Sequence, residues 1–173
     1  MVSRYSPTLP NDLNNNQNAK TNRRMKVLGS EMIVLGAHAT SKTDAIRQAG
    51  DVLIRNGCVA PSYVDGMLAR ERVLSTYLGN GIALPHGELA DLQAVYQTGV
   101  SVLQFPEGIE WEPGEWVYLV IGLASNSDEH VRVLINLTRA VQEPKIAKSL
   151  AHARDPMVII EYLTQGLEEN GVN

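Results

Sequence analysis

Apolar residues recur along the chain with two periods, and the alternation between them predicts the elements. A short apolar run, Met32 to Leu35, reads as a strand. It is followed by Ser41-Lys42-Thr43-Asp44, in which Ser41 can cap a helix with Asp44 as its capping-box partner. That helix sets Ile46, Ala49 and Leu53 on one face and ends near Asn56-Gly57, where the glycine suits a left-handed C-terminal position. A second helix is expected from Pro61, with Val64, Met67 and Leu68 as its apolar stripe and Arg70 and Glu71 at its far end. The chain then turns toward Gly79-Asn80-Gly81. Ile82-Ala83-Leu84 is wholly apolar, as a strand buried on both faces would be.

Gly99 to Phe105 and Trp116 to Ala124 read as two further strands forming a hairpin around a turn-rich loop containing Pro106, Gly108, Pro113 and Gly114. After Ser125-Asn126-Ser127, a cap, a helix is expected with Val131, Leu134, Ile135 and Thr138 on one face. Shorter helices restart at Pro144 and Pro156. The order strand, helices, strands, helices, with no internal repeat, predicts a single α/β domain: a mixed β-sheet flanked by helices in a layered sandwich.

The N-terminal stretch departs from this patterning. Residues 1–28 are polar, with Asn11, Asn14, Asn15, Asn16 and Asn18 close together, and carry no periodic apolar face to offset ordering entropy. They read as a flexible tail, or as an extension upstream of a start at Met25. The domain is expected over 29–168, with 169–173 a C-terminal tail.

Composition narrows the function. The 44% hydrophobic content of the 173 residues suffices for one core, and a net charge of −4 without a basic run argues against nucleic acid and anionic membrane as partners. One cysteine, Cys58, allows neither an internal disulfide nor a multi-cysteine metal site, so a reducing compartment, the cytoplasm, is expected. The basic residues of the N-terminus precede no apolar core of the kind a secretory signal needs. The longest apolar stretch, Trp116 to Ala124, is too short to span a bilayer as a helix.

Among the histidines, His86 stands out because it follows a buried-type strand and is bracketed by Pro85 and Gly87. Pro85 pushes Leu84 toward an extended conformation, and Gly87 would let the chain turn sharply. An imidazole presented at a strand end in an α/β sheet suits chemistry; an inert, hydrogen-bonded turn histidine fits the same spacing. His130, three residues after Ser127, falls in a first helical turn, where a neutral imidazole could donate to an oxyanion or merely be exposed. Arg70 could bring positive charge near an anionic group or serve the carboxyl end of its own helix. Asp128 and Glu129 are ordinary first-turn acids, and His38 and His152 read as surface residues. Gly79-x-Gly81-x-x-Leu84 lacks the third glycine of a dinucleotide loop, and the chain has no GxxxxGK[ST], GxSxG or HExxH. No cofactor or metal is implied, and a zinc hydrolase is the residual enzymatic alternative.

The run Arg70-Glu71 through Ser75-Thr76-Tyr77-Leu78-Gly79-Asn80-Gly81-Ile82-Ala83-Leu84-Pro85-His86-Gly87, with Asp128-Glu129-His130 opening a helix, resembles the A components (EIIA) of the bacterial phosphoenolpyruvate-dependent sugar phosphotransferase system, mannitol/fructose class. The resemblance extends from about Ile33 to Leu163. Ser75 to Gly79 and Phe105-Pro106-Glu107-Gly108-Ile109 look more like the mannitol branch than the nitrogen-regulatory branch. The resemblance implies that His86 is phosphorylated, that His130 assists and that Arg70 lies near the phosphoryl group. It further implies phosphoryl donation by the carrier HPr and onward transfer to a cysteine of an EIIB component, part of a membrane EIIC complex. The chain would then be a free-standing phosphocarrier for uptake of mannitol, a related polyol or fructose. The alternative is a nitrogen-type regulatory module in which phosphorylation of His86 switches protein binding.

Overall fold

The computed structural model describes residues 28–126 and 130–165, the side chains of 130–133 excepted. Among these, five strands form one mixed sheet: β1 (Ile33–Val34), β2 (Tyr77–Gly79), β3 (Ile82–Ala83), β4 (Gly99–Glu112) and β5 (Glu115–Ala124), in the spatial order β1-β4-β5-β3-β2. The β4–β5 hairpin is the antiparallel spine; β1 joins β4 and β3 joins β5 in parallel, and β2 closes the far edge antiparallel to β3. The helices are α1 (Lys42–Arg55), α2 (Tyr63–Val73), α3 (His130–Gln142), α4 (Pro144–Ala151) and α5 (Pro156–Thr164). Alternate residues of β4 point to opposite faces. Ser101 bonds the carbonyl of Ala49 in α1 at 2.9 Å, while Gln104 reaches the carbonyls of Leu150 and Ala153 at 3.3 and 2.9 Å on the other side. The sheet is therefore covered on both faces, as the layered α/β pattern predicts.

The ends of α1 show how local chemistry sets the boundaries. Ser41 Oγ accepts from the Asp44 amide at 3.2 Å, whereas the Asp44 carboxylate reaches past Ser41 to the Thr40 amide at 2.9 Å. At the other end the amides of Gly57 and Cys58 bond the carbonyls of Ile54 and Leu53, each at 2.9 Å, with Gly57 at φ +67°. These two bonds satisfy carbonyls that the helix leaves open, in the Schellman arrangement. Ile46, Ala49 and Leu53 are buried, as are Val64, Met67 and Leu68 of α2. Helix α2 begins at Tyr63, because Pro61 and Ser62 close turns onto the amides of Val64 and Asp65.

Three features depart from the sequence pattern. The loop expected from Pro106 to Gly114 shrinks to Pro113-Gly114, and β4 runs on to Glu112. Register shifts between Gln104 and Ile109 and between Glu110 and Glu112 absorb the breakers: in a bulge Pro106 forfeits no rung, and Gly108 takes φ +72°. Burial of Ile109 and Trp111 holds the extension to the core. Helix α3 is rotated from its expected face: Ile135 is 50% exposed and Thr138 lies at the surface, while Leu137 and Ala140 are buried. The rotation follows Asn136, buried so that its amide nitrogen donates to the carbonyls of Leu163 and Gln165 at 2.9 and 2.6 Å. Finally, β2 and a 3₁₀ turn over Leu89–Ala94 occupy stretches without apolar periodicity.

Glu71 ties these layers together. Its side chain is buried, with 7% residue exposure, and its carboxylate accepts from the Thr76 amide at 2.9 Å, from the Thr76 hydroxyl and from Trp111 Nε1 at 3.0 Å. Lys42 Nζ stands 3.1 Å from Glu71 and 2.7 Å from Glu112. Partial burial pushes the Lys42 ammonium down, but the hydrogen bonds and charges of Glu112 and Glu71 outweigh it and lift its pKa. Because removing one partner strands the others, Glu71→Ala is expected to lower unfolding stability by about 3 kcal/mol. Urea denaturation checks this: the midpoint falls at constant slope, and a midpoint equal to wild type contradicts the network. The lifted Lys42 pKa makes its contribution complete below the ordinary 10.5 and lost as pH rises through the raised value. Lys42→Met is expected to flatten the alkaline limb of the stability profile.

Candidate active site

The strand-to-turn passage after β3 presents His86. The Leu84 amide donates to the Thr76 carbonyl at 3.0 Å, and the Pro85 carbonyl accepts from the Leu123 amide of β5 at 3.1 Å, so His86 bridges Leu123 as a parallel continuation of β3. The half-buried imidazole folds back so that Nδ1 lies 2.8 Å from the Leu84 carbonyl. A carbonyl only accepts, so Nδ1 carries the proton and, in the neutral ring, Nε2 carries the lone pair. The local strand path thus selects which nitrogen is left with its lone pair facing the cleft.

His86 opens onto a cleft of about 860 Å³ whose lining includes Tyr63, Arg70, Glu88, Leu92, Leu123 and Asn126. Tyr63, at the start of α2, donates its hydroxyl to the Leu123 carbonyl at 2.9 Å and accepts from the Gly87 amide at 3.0 Å. Burial pushes the Tyr63 phenol up, outweighing the Gly87 amide bond that pulls it down, and the nearby Asp91 charge adds to the rise, so the hydroxyl keeps its proton. Gly87 is not in the left-handed region, so the sharp turn expected of it does not explain the glycine. Space does: a Cβ there would stand 2.6 Å from Tyr63 Cε2 and 2.9 Å from Cζ. The next turn is held by a reciprocal capping box between Glu88 and Asp91, with the Glu88 amide donating to Asp91 at 2.7 Å.

Arg70 serves the end of its own helix and also borders the cleft. Its Nη1 donates to the Leu74 carbonyl at 2.6 Å, capping the carboxyl end of α2, and the same side chain lines the cleft with His86. Among the described residues no carboxylate lies within ion-pair distance of it. His130 is the first residue of α3, but its side chain, like Ser127, Asp128 and Glu129, lies outside the described residues. His38 is exposed, 3.7 Å from Glu107, and His152 caps the Lys148 carbonyl at 2.8 Å; neither lines the cleft. Among the described residues no three His, Cys, Asp or Glu side chains gather as a metal site. Cys58 is buried, and desolvation pushes its thiol up. The sequence pattern did not single out Tyr63, Leu123 or the Glu88–Asp91 box, whose roles arise only from contacts across the sheet edge.

Fold and cleft together define a layered α/β domain whose cleft, among the described residues, holds one histidine with a free Nε2. Comparison with known proteins makes this specific. Residues 26–166 match the family described as phosphoenolpyruvate-dependent sugar phosphotransferase system, EIIA 2, and the chain belongs to that family. A multiphosphoryl transfer protein of Xanthomonas campestris is 45% identical over 134 residues, covering 78% of this chain; the chain spans only 16% of that relative's length. The crystal structure of IIA mannitol from Escherichia coli superposes with a TM-score of 0.72 at 41% identity, covering 79% of this chain and 98% of that one. The solution structure of the mannitol enzyme IIA in complex with phosphorylated mannitol enzyme IIB, from the same organism, gives 0.72 at 40%, with coverages of 79% and 96%. Among the described residues no helix is long and apolar enough to cross a membrane.

Nitrogen-15 correlation spectra of the neutral imidazole provide a direct check on the site. His86 is expected to show a protonated Nδ1 and an unprotonated Nε2; the reverse tautomer would contradict the Leu84 contact.

Proposed function

We propose that this domain is a phosphocarrier of the sugar phosphotransferase system, receiving a phosphoryl group on His86 Nε2 from phosphohistidine of HPr and passing it to a cysteine of an EIIB component. The observation that carries the reading is the His86 Nδ1 to Leu84 carbonyl bond, which leaves Nε2 as the nucleophile at the cleft. In-line attack forms the Nε2–P bond as the donor N–P bond breaks. The proton stays on Nδ1 throughout, and the positive charge the ring acquires strengthens its bond to the Leu84 carbonyl. Arg70, and His130 at the start of α3, stabilise charge on the equatorial phosphoryl oxygens. The sequence identity to the mannitol IIA, rather than the fold alone, supports mannitol, a related polyol or fructose as the transported sugar and favours transport over a nitrogen-type regulatory role. Membership of the family is consistent with the cytoplasm as the compartment.

The test is incubation with phosphoenolpyruvate, Enzyme I and HPr, followed by mass spectrometry and addition of a mannitol-type EIIB. Wild type is expected to gain one acid-labile phosphoryl group and to lose it to EIIB, while His86→Ala gains none. A wild type that stays unlabelled refutes the reading, and a phospho-form that no mannitol- or fructose-type EIIB discharges returns the regulatory alternative. Arg70→Ala is expected to slow transfer roughly a hundredfold, as loss of one preorganised charge-stabilising donor does; a rate within twofold of wild type removes Arg70 from the mechanism.

A further inference from the structure

The parallel ladder that carries His86 is completed through a side chain. Where the Leu123 amide donates to the Pro85 carbonyl, regular parallel pairing continues with the Gly87 amide donating to the Leu123 carbonyl, so that the residue between, His86, is held by a rung on either side. The second rung is not a direct bond of ordinary geometry. The Tyr63 hydroxyl stands within it, accepting from the Gly87 amide at 3.0 Å and donating to the Leu123 carbonyl at 2.9 Å. Upstream, Ile82 and Ala83 pair directly with Leu119 and Val120. The strand is thus tied closely to β5 up to Pro85 and relayed through a hydroxyl immediately after His86.

We infer that Tyr63 is a positioning residue: its hydroxyl, wedged between Gly87 and Leu123, sets the distance of the His86 backbone from β5 and with it the place of Nε2 in the cleft. Two independent features agree. Both hydrogen bonds of the hydroxyl go to the groups of this one rung, although a tyrosine with 4% residue exposure could satisfy itself with any nearby carbonyl. The ring also fills the space beside residue 87 that any side chain would need, so the wedge and the glycine require each other. Tyr63 lies in α2, the helix that also carries Arg70, so one rigid element sets the position of the histidine and brings the arginine to the same cleft. In-line transfer is sensitive to ångström displacements of the nucleophile, which is where the effect of such a wedge would be felt.

The functional consequence rests on the phosphocarrier reading, and the experiment separates the two. Tyr63→Phe in the full chain keeps the ring and removes the hydroxyl, letting the Gly87 amide close onto Leu123. Its circular dichroism should match wild type, its Gly87 amide and His86 imidazole resonances should move, and its transfer rate at saturating phospho-HPr should fall about tenfold to a hundredfold with KM changed less than threefold. Gly87→Ala, which keeps the hydroxyl but forces the ring aside, should reproduce the fall and guards against a fold defect peculiar to the first variant. A saturating rate within twofold of wild type in both variants, or His86 resonances that do not move, overturns the inference. If wild type itself takes no phosphoryl group, the phosphocarrier reading fails, and the Gly87 and His86 resonances still decide whether Tyr63 places the ring.

Discussion

Parallel pairing of β3 with β5 is the constraint on which the site depends. β3 has only two residues in the ladder, Ile82 and Ala83, and little stability of its own. Because β5 is long, buried over its second half and locked antiparallel to β4, the short strand inherits a rigid direction from it. That direction brings Pro85 and His86 to the carboxyl end of two parallel strands, where an α/β sheet opens into a cleft. The same path turns the His86 ring back onto the Leu84 carbonyl, so the tautomer follows from strand geometry and needs no separate carboxylate to orient the ring.

Behind the strand stands the Glu71 cluster. A buried carboxylate is costly unless its lone pairs are occupied, and here the Thr76 amide, the hydroxyls of Thr76 and Ser75, the Trp111 indole and the Lys42 ammonium occupy them. The cluster fixes Thr76, whose carbonyl receives the Leu84 amide. A continuous series of bonds therefore runs from the core carboxylate through Thr76 and Leu84 to His86 Nδ1. Neighbouring residues of α2 divide the labour: Glu71 anchors the segment leading into β2 and β3, and Arg70 borders the cleft that β3 feeds.

The open cleft matches transient work. Its lining mixes a guanidinium and a half-buried imidazole with apolar side chains such as Leu89, 86% exposed, and Leu92, both on the 3₁₀ turn after His86. The proposed relay would require the site to admit one macromolecule, release it and admit another. Shallow apolar contact around a polar centre allows this better than an enclosed pocket that sequesters a small substrate.

By itself the sequence determined whatever depends on neighbours in the chain. The Ser41 cap, the Gly57 stop, the buried faces of α1 and α2, the continuous apolar strands and the setting of His86 between a proline and a glycine are all local consequences of side-chain shape and backbone freedom. Only the tertiary structure decided what depends on residues far apart. Pro106 and Gly108 look like loop residues, yet bulges against β5 and the burial of Ile109 and Trp111 draw them into β4. Apolar periodicity points α3 toward Ile135, yet Asn136 turns it to reach the end of α5, because a buried amide must find carbonyls. Gly87 reads as a turn residue, but the Tyr63 ring is what requires it to be small. Arg70 could be assigned to its helix end or to the cleft from sequence, and folding assigned it to both, since the carboxyl end of α2 lies at the cleft. For the β4 extension, Asn136 and Gly87 a bond or contact between residues 24 to 40 positions apart outweighed a local preference, and such contacts exist only once the sheet has assembled.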